Sequence, residues 1–552
     1  MAHLHFDQSF EGGLVKRLIA PIALMFVISA CSSGSRTVPL NYDEWMALYT
    51  SQEVSWSECK NENWVAEAER SPLFKTDDVV CADIKVPLEY DPEGSYDDIT
   101  IRLMKDPASG EKIGTLLSNP GGPGQSGINY VQFVAYPQEL RDAYDIVGFD
   151  PRGVGLSSPV KCDDDLDLRS YFETHFDPKN EAEYREDKAM TDAYFADCIE
   201  KNPTWWAMTT ANTVKDIELI RAVLTPNEDL NFIGHSYGTT LAAQYIQNYP
   251  DKIGRIILDS PTTSQKRDTE VLVEETKAFV KVRNQIFDRC AKDPDCYGET
   301  RKEVEDRLIW ARDQVLADKL DGYVTTVVEE DFFKRGTGES AYLIMRALTM
   351  ISYWPVSDAY GAFKEMMTYL DAGNYGGFEW YGLYLDGYDP ETLERDNSFD
   401  ILQIVNCLDT DERETLSPAE LDAQEAALEA ADPFTKRFSD IYDYEAPDEA
   451  EPGCFWSWEA FKNDEIPDPP AELPEYSNPS GTPVMVIGSK GDTATPYKWS
   501  INAAKALQSP LITYEGSGHA VLFGGSDCLE KLAVDYLISG KLPTAATSCP
   551  AV

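Results

Sequence analysis

The sequence is poor in basic residues and in histidine. Its 552 residues include 48 lysines and arginines against 96 aspartates and glutamates, with only five histidines. A formal net charge of −48 opposes binding to the phosphate backbone of nucleic acids, and no cluster of lysines and arginines offers a local exception. The acidic excess favours a solvated surface and cationic or amino-terminal ligands. We therefore expect no nucleic-acid partner.

The rest of the composition predicts a folded, enzyme-sized protein. Hydrophobic residues make up 43% of the chain and aromatic residues 11%, which excludes a disordered chain. A chain of this length can bury one very large core or two to three smaller ones.

The amino terminus has the pattern of an export signal. Lys16 and Arg17 precede an uncharged stretch, residues 18–30, which is too short to span a bilayer comfortably but suits the apolar region of a secretory signal. The stretch ends at Cys31 in a string that resembles the lipobox of bacterial lipoproteins, where the cysteine is acylated. The alternative is an ordinary cleavage site with an incidental cysteine. We predict a leader over 1–30, lipidation of Cys31, and an envelope lipoprotein on the outer face of the membrane or released to the medium.

The cysteine count fits the same compartment. Without Cys31, ten cysteines remain, an even number in a chain predicted to enter an oxidising space. Because no Cys-x-x-Cys occurs and histidine is scarce, we predict neither a metal site nor a cofactor. Sequence alone does not fix connectivity, but pairing neighbours in chain order gives short loops. The guessed pairs are Cys59 with Cys81, Cys162 with Cys198, Cys290 with Cys296, Cys407 with Cys454, and Cys528 with Cys549.

Alternating apolar runs and helical patterns predict an α/β fold with a parallel sheet. After about residue 262 the alternation gives way to charged helical segments and aromatic clusters, and it returns near residue 470. We therefore predict an amino-terminal tether and segment (31–58), a core in two parts (59–262 and 471–552), and an inserted, mainly helical cap (263–470). The predicted strands are 113–117, 144–149, 230–233, 253–258, 484–487 and 511–514; the predicted helices are 213–224, 239–249, 268–289, 303–320 and 529–538.

A Gly-x-Ser-x-Gly string at residues 234–238 lies between a predicted strand and a predicted helix. The bare string is common, so its context decides. A serine on such a turn has its hydroxyl at the carboxyl edge of the sheet, and the flanking glycines leave room for a strained corner. The start of the helix favours a developing anion. We predict that Ser236 is a nucleophile.

A serine nucleophile needs a base, usually histidine. His3 and His5 fall in the leader, and His175 lies in a polar region where a solvated role is more typical. His235 immediately precedes the serine and cannot easily turn its ring onto the neighbouring hydroxyl. His519 follows a predicted strand in a run of small residues, so we predict that His519 is the general base.

The imidazole needs a carboxylate to hold one tautomer. Asp492 follows a buried strand and stands between Ser236 and His519, and this Ser, Asp, His order is that of the hydrolase fold. The competitor is Asp259, at the end of the strand after the nucleophile, which otherwise caps a helix or turn. We favour Asp492.

A glycine-rich run at 119–127 follows another predicted strand. Its bare backbone N–H groups can point into a pocket and hold an oxyanion. We predict Gly122 and the amide of Tyr237 as the donor pair.

These segments resemble the prolyl iminopeptidase branch of the α/β-hydrolases, through residues 121–124, 148–157 and 234–239. The closer resemblance is to secreted bacterial tripeptidyl aminopeptidases, whose carboxyl-terminal segment is similar to residues 482–549. In prolyl iminopeptidases a histidine usually stands at the position of Pro120, a difference that the tripeptidyl branch shares. Ser260 replaces the glycine expected after Asp259. The resemblance implies an α/β-hydrolase fold with a mostly parallel sheet and a large inserted cap.

The resemblance also implies a serine exopeptidase that removes short peptides, tripeptides first of all, from free amino termini through an acyl-enzyme. Its partners would be peptides with a free amino terminus, and we expect a monomer. Such an enzyme needs carboxylates in the cap to bind the substrate ammonium group. Glu379 is a candidate, and Glu329, Glu330 and Glu339 compete with it. Asn119 either contacts the substrate backbone or only caps its turn.

Two other functions stay open at this point. The same machinery serves a carboxylesterase or lipase, since a triad does not choose between amide and ester. A surface-binding lipoprotein on an inherited hydrolase fold is the other alternative.

Overall fold

The computed structural model describes residues 42–59, 78–91, 97–162, 178–263, 268–322, 339–390, 394–409, 417–439, 474–543 and 547–552. The predicted leader, Cys31, His175, Glu329 and Glu330 lie outside these residues, as does the side chain of Glu339. Within the described ranges, no helix has both the length and the apolar character needed to cross a membrane.

A ten-stranded sheet runs through the core in the order β1-β2-β3-β5-β4-β6-β7-β8-β9-β10. The strands β1, β2, β3 and β5 pair antiparallel, and every pairing from β5 to β10 is parallel. The fold is therefore α/β with a mostly parallel sheet. The strands are β1 (Ser57–Glu58), β2 (Val80–Pro87), β3 (Asp98–Asp106), β4 (Gly114–Asn119), β5 (Tyr144–Phe149), β6 (Leu230–His235), β7 (Ile253–Asp259), β8 (Met485–Gly491), β9 (Leu511–Ser517) and β10 (Thr547–Cys549).

Helices cover both faces of the sheet. The central strands are continuous apolar runs because they are buried on both faces, as in other parallel sheets. One apolar cluster packs the sheet against α1, α5, α6 and α15, and a second packs it against α2, α3 and α16. The α-helices of the core are α1 (Tyr42–Thr50), α2 (Gly127–Phe133), α3 (Gln138–Ala143), α4 (Glu181–Lys201), α5 (Thr210–Leu224), α6 (Tyr237–Asn248), α15 (Tyr497–Ala506) and α16 (Asp527–Ser539).

The segment between β7 and β8 forms a helical layer with its own interior. Because β7 and β8 are hydrogen-bonded neighbours, this whole segment is an insertion at one point of the sheet. A third apolar cluster draws all its members from Phe279 to Phe438, and Arg283 forms a buried ion pair with Asp432 at 2.6 Å. Its helices are α7 (Thr269–Cys290), α8 (Arg301–Leu316), α9 (Glu339–Ser352), α10 (Val356–Asp371), α11 (Gly376–Leu385), α12 (Ser398–Asp409), α13 (Pro418–Ala431) and α14 (Pro433–Ser439).

One cap helix packs directly on the core. Ile401, Ile404 and Leu408 of α12 join Trp205 and Met208 of the core in a fourth apolar cluster. The carboxyl end of α12 is thereby held beside the start of α5.

Four disulfides are present in the described residues, and they join the cysteines paired in the sequence analysis. They link Cys59 with Cys81, Cys162 with Cys198, Cys290 with Cys296, and Cys528 with Cys549. Cys407 is also disulfide-bonded. Its predicted partner, Cys454, lies outside the described residues.

Candidate active site

Ser236 occupies a strained turn between β6 and α6. Its φ of 52° and ψ of −124° lie in a region that residues with a side chain rarely adopt. The turn is held by the Ser236 N–H, which donates to the Asp259 carbonyl at 3.1 Å. A Cβ on Gly234 would clash with the backbone of Gly238, and one on Gly238 would lie 2.7 Å from the Asn119 carbonyl oxygen. The two flanking glycines are therefore required by the close packing of this turn.

The glycine run after β4 lies directly against this turn. β4 and β6 are parallel neighbours with Asn119 opposite Gly234, so their carboxyl ends meet. A Cβ on Gly121 would lie 2.9 Å from both the Ser236 Cβ and the Tyr237 nitrogen. Gly121 and the adjacent Gly122 both adopt positive φ, at 106° and 104°. The backbone of this run is therefore within contact distance of the predicted nucleophile.

Asn119 holds the glycine run in place. Its side-chain oxygen accepts a hydrogen bond from the Gly121 N–H at 3.0 Å, and the side chain is fully buried. This contact corresponds to the turn-capping role weighed in the sequence analysis.

Asp492 and His519 lie within hydrogen-bond distance at the carboxyl ends of β8 and β9. The His519 Nδ1 is 2.9 Å from Oδ1 and 3.1 Å from Oδ2 of Asp492. The Asp492 carboxylate also accepts the N–H groups of Ala494 and Thr495 and the Thr495 hydroxyl, at 2.9 to 3.1 Å. Such a buried, hydrogen-bonded carboxylate keeps the proton of the imidazole on Nδ1, which leaves the Nε2 of His519 to accept one.

The surroundings of His519 shift its acidity. Burial lowers the pKa of the imidazole, but the charge and hydrogen bond of Asp492, with smaller contributions from Asp259 and Glu275, outweigh burial and raise the pKa above its usual value. The His519 ring therefore binds a proton more tightly than the ring of an ordinary histidine does. Tyr353 of the cap packs its ring 5.6 Å from the His519 ring and accepts the His519 N–H at 2.8 Å through its carbonyl.

The competing acid, Asp259, has a different partner. Its Oδ2 lies 3.0 Å from the Nδ1 of His235 and accepts the Leu522 N–H at 2.9 Å, and all of this is buried. The next residue, Ser260, has a φ of 57° and accepts the Ala520 N–H on its hydroxyl at 2.9 Å. Residues 259–260 thus anchor both the Ser236 turn and the loop that follows His519. The positive φ also explains why a glycine is expected at position 260.

Sequence reasoning missed three contributors to this site. Thr495, Tyr353 and Ser260 each contact the His519 loop or its carboxylate, and none stands out by residue type. Only the position of Ser260, where a glycine is expected, marked it as unusual.

Glu379 lies within the cap interior. It is 2% exposed, it accepts a hydrogen bond from the Tyr375 hydroxyl, and a Cβ on Gly322 would lie 2.6 Å from one of its carboxylate oxygens. A ligand would have to displace this packing to reach the carboxylate.

Comparisons with known proteins agree with the fold. Residues 114–296 match the family model described as alpha/beta hydrolase fold, and residues 453–549 match the one described as TAP-like protein. The chain is 28% identical over 520 residues to the serine protease Hip1 of Mycobacterium tuberculosis, covering 90% of this chain and 91% of that protein. It is 32% identical over 268 residues to a tripeptidyl aminopeptidase of Streptomyces lividans, covering 46% of this chain and 50% of the relative.

A third relative carries a different activity in its name. The chain is 26% identical over 509 residues to the carboxylesterase B of Mycobacterium tuberculosis, covering 90% of this chain and 89% of the relative. The sheet, the two family models and these relatives lead to one identification. The chain is a hydrolase enzyme with the α/β-hydrolase fold and a TAP-like carboxyl-terminal region.

Proposed function

We propose that this chain is an exported serine exopeptidase that removes short peptides, tripeptides first of all, from free amino termini. The observation that carries the proposal is the hydrogen bond between Asp492 and His519, whose loop is anchored on Asp259 and Ser260, while Asp259 also holds the Ser236 turn. The serine, the aspartate and the histidine follow the carboxyl ends of β6, β8 and β9, and acyl transfer requires such a set.

The proposal gives a role to each residue. Ser236 attacks the scissile carbonyl while the Nε2 of His519 takes its proton, and Asp492 stabilises the imidazolium that results. The backbone amides of Gly122 and Tyr237 donate to the oxyanion of the tetrahedral intermediate. His519 then gives the proton to the leaving amine, which leaves an acyl-enzyme. A water molecule, deprotonated by His519, releases the short peptide as a free acid and restores the serine.

The disulfides support the exported location in this proposal. Disulfides persist in oxidising compartments and are rare where thiols are kept reduced. Nine of the ten cysteines expected in the processed chain are described, and each of the nine is disulfide-bonded. The proposed anchor is a lipid on Cys31.

A carboxylesterase is the second candidate. The relative named carboxylesterase B covers nearly the whole chain, and the same serine, histidine and aspartate act on esters. The two candidates differ in the substrate that gives the higher kcat/KM.

One set of assays tests the proposal. The purified chain is given a tripeptide anilide with a free amino group, the same anilide N-acetylated, and a short-chain nitrophenyl ester. We expect the free anilide to have the highest kcat/KM, and Ser236→Ala to lower every rate by several orders of magnitude. Equal rates on the free and acetylated anilides would contradict the exopeptidase, and turnover of the ester alone would identify the esterase. An inactive wild type that still bound peptides would point to a surface-binding protein.

A further inference from the structure

Asp409 is a carboxylate beside the predicted nucleophile that has no cationic partner in the described part of the chain. It is the last residue of α12, and among the residues that the structure describes it is hydrogen-bonded only by Thr210, the first residue of α5. The Thr210 N–H donates to Oδ1 at 3.1 Å, and the Thr210 hydroxyl donates to Oδ2. A carboxylate enclosed in this way is destabilised until a positive charge reaches it.

A short hydrogen-bond chain connects this carboxylate to the nucleophile turn. The Thr210 hydroxyl has a single hydrogen, which goes to Asp409, so its oxygen accepts the hydrogen of the Tyr237 hydroxyl. Tyr237 directly follows Ser236, and its amide is a predicted oxyanion donor. Asp409 is thus separated from the nucleophile turn by one tyrosine side chain and two hydrogen bonds.

The side chains in this chain face space that solvent can enter. Ser236, Tyr237 and Asp409 are each partly exposed, whereas Thr210 between them is buried. Burial nevertheless raises the pKa of Asp409 to about 7, against the two hydrogen bonds from Thr210 that lower it. Asp409 is therefore largely enclosed by protein and still partly exposed to solvent. This distinguishes Asp409 from Glu379, which is 2% exposed and packed against Gly322.

The position of Asp409 at a helix end adds to its preference for a cation. The last carbonyl groups of a helix have no partner within the helix and carry a partial negative charge. α12 ends at Asp409. The partial negative charge of the helix end and the negative charge of the carboxylate therefore lie together and attract the same cation. A primary ammonium group offers three N–H donors to such a site.

We propose that Asp409 binds the amino-terminal ammonium group of the peptide substrate, at the side of Tyr237 that faces α12. This inference rests on the proposed exopeptidase function and names the residue that makes it an exopeptidase. An extended tripeptide spans at most about 10 to 11 Å. One tyrosine side chain and two hydrogen bonds of about 3 Å each cover a similar length. A fixed ammonium site at that range sets how many residues lie between the free amino terminus and the carbonyl that Ser236 attacks.

The test compares Asp409→Asn with Asp371→Asn on the free tripeptide anilide, its N-acetylated form and the nitrophenyl ester. Asp371 is a matched control because it is also the last residue of a cap helix, but its side chain is 47% exposed and pairs with Arg307. Removing one charge of an enclosed pair commonly lowers binding by about 30-fold or more. We expect Asp409→Asn to lower kcat/KM on the free anilide by at least that factor, mainly through KM. Turnover of the acetylated anilide and of the ester should change by less than about threefold.

Further variants keep the result interpretable. Asp409→Ser should behave as Asp409→Asn does, and Asp409→Glu, which keeps the charge, should retain most of the preference for the free amino group. Thermal melting identifies any variant that does not fold, and Asp409→Ser then replaces it.

Two results would overturn the inference while leaving the exopeptidase intact. One is a wild-type preference for the free anilide that Asp409→Asn does not reduce. The other is an equal loss on all three substrates, which would mean that Asp409 only positions Tyr237. A wild type with no preference for the free amino group would reject the exopeptidase and this inference together.

Discussion

At the scale of single residues, the acidity of His519 predicts the pH dependence of the reaction. The ring must be neutral to act as a base, and its pKa is raised because the charge of Asp492 outweighs burial. We therefore expect kcat/KM on the nitrophenyl ester to fall as the pH drops through a value above 6.5, the ordinary pKa of histidine. The ester is the right substrate because it has no amino group of its own to titrate.

Asp492→Asn is the variant that checks the cause of this shift. Without the carboxylate charge, burial dominates, so the acidic limb of the profile should move to lower pH. The maximal rate should also fall by roughly 10⁴, because the asparagine no longer holds the ring in the productive tautomer. Asp259→Asn serves as a comparison, because Asp259 hydrogen-bonds His235 and contributes less to the His519 pKa than Asp492 does, so its acidic limb should move less. A limb that stays in place in Asp492→Asn would contradict the assignment of Asp492 as the partner of the base.

At the scale of elements, the end of β7 holds both the Ser236 turn and the loop after His519. The Ser260 hydroxyl accepts the Ala520 N–H, and the neighbouring Asp259 accepts the Ser236 N–H on its carbonyl and the Leu522 N–H on its carboxylate. Removing the Ser260 hydroxyl leaves the buried Ala520 N–H without its acceptor and loosens the loop that carries His519. We expect Ser260→Gly and Ser260→Ala to lower kcat by about tenfold with little change in KM.

The pair of variants separates the hydroxyl from the backbone. Glycine accepts the φ of 57° freely, whereas alanine is strained there, so Ser260→Ala should melt at a lower temperature than Ser260→Gly. If both variants kept the wild-type kcat and differed only in melting temperature, the residue would have a structural role alone.

The sequence predicts an element well when residues that are close together in the chain determine it. The strands β5 and β7 lie within one residue of their predicted bounds, because each is a continuous apolar run between turn residues. The antiparallel strands β2 and β3 were not predicted individually, because buried residues alternate in them with more exposed, charged residues such as Asp83 and Lys85. Most of the cap helices were also not bounded, since aromatic clusters give no clear helical period.

The same distinction applies to the site. Ser236, Asp492 and His519 were predicted from local strings, chain order and the scarcity of histidine. Tyr353, Ser260 and Asp409 contact residues that are distant in the chain. Tyr353 contacts His519, 166 positions away, and Ser260 contacts Ala520, 260 positions away. Asp409 contacts Thr210, 199 positions away. Such contacts depend on how the cap and the core pack, and no local pattern encodes them.

At the scale of the whole molecule, the disulfides fasten segments that the sheet alone holds weakly. Cys528–Cys549 ties the short edge strand β10 to α16 and closes a loop of 21 residues, while Cys290–Cys296 closes a loop of 6 within the cap. In the chain-entropy model the stabilisation grows with loop length, to about 3 kcal/mol for the first and about 2 kcal/mol for the second. We therefore expect the double variant Cys528→Ala with Cys549→Ala to lose more stability than Cys290→Ala with Cys296→Ala.

Thermal melting and ester turnover of the two double variants measure this difference. β10 lies at the edge of the sheet beside β9, away from the Ser236 turn, so activity at 25 °C should survive in both variants while the melting temperature falls more in the first. Under reducing conditions the protein should lose the stabilisation from both disulfides. Its stability therefore depends on the oxidising compartment that the leader predicts. A larger loss for the 6-residue loop would show that native packing around Cys290 and Cys296, rather than the entropy of the unfolded chain, controls the effect.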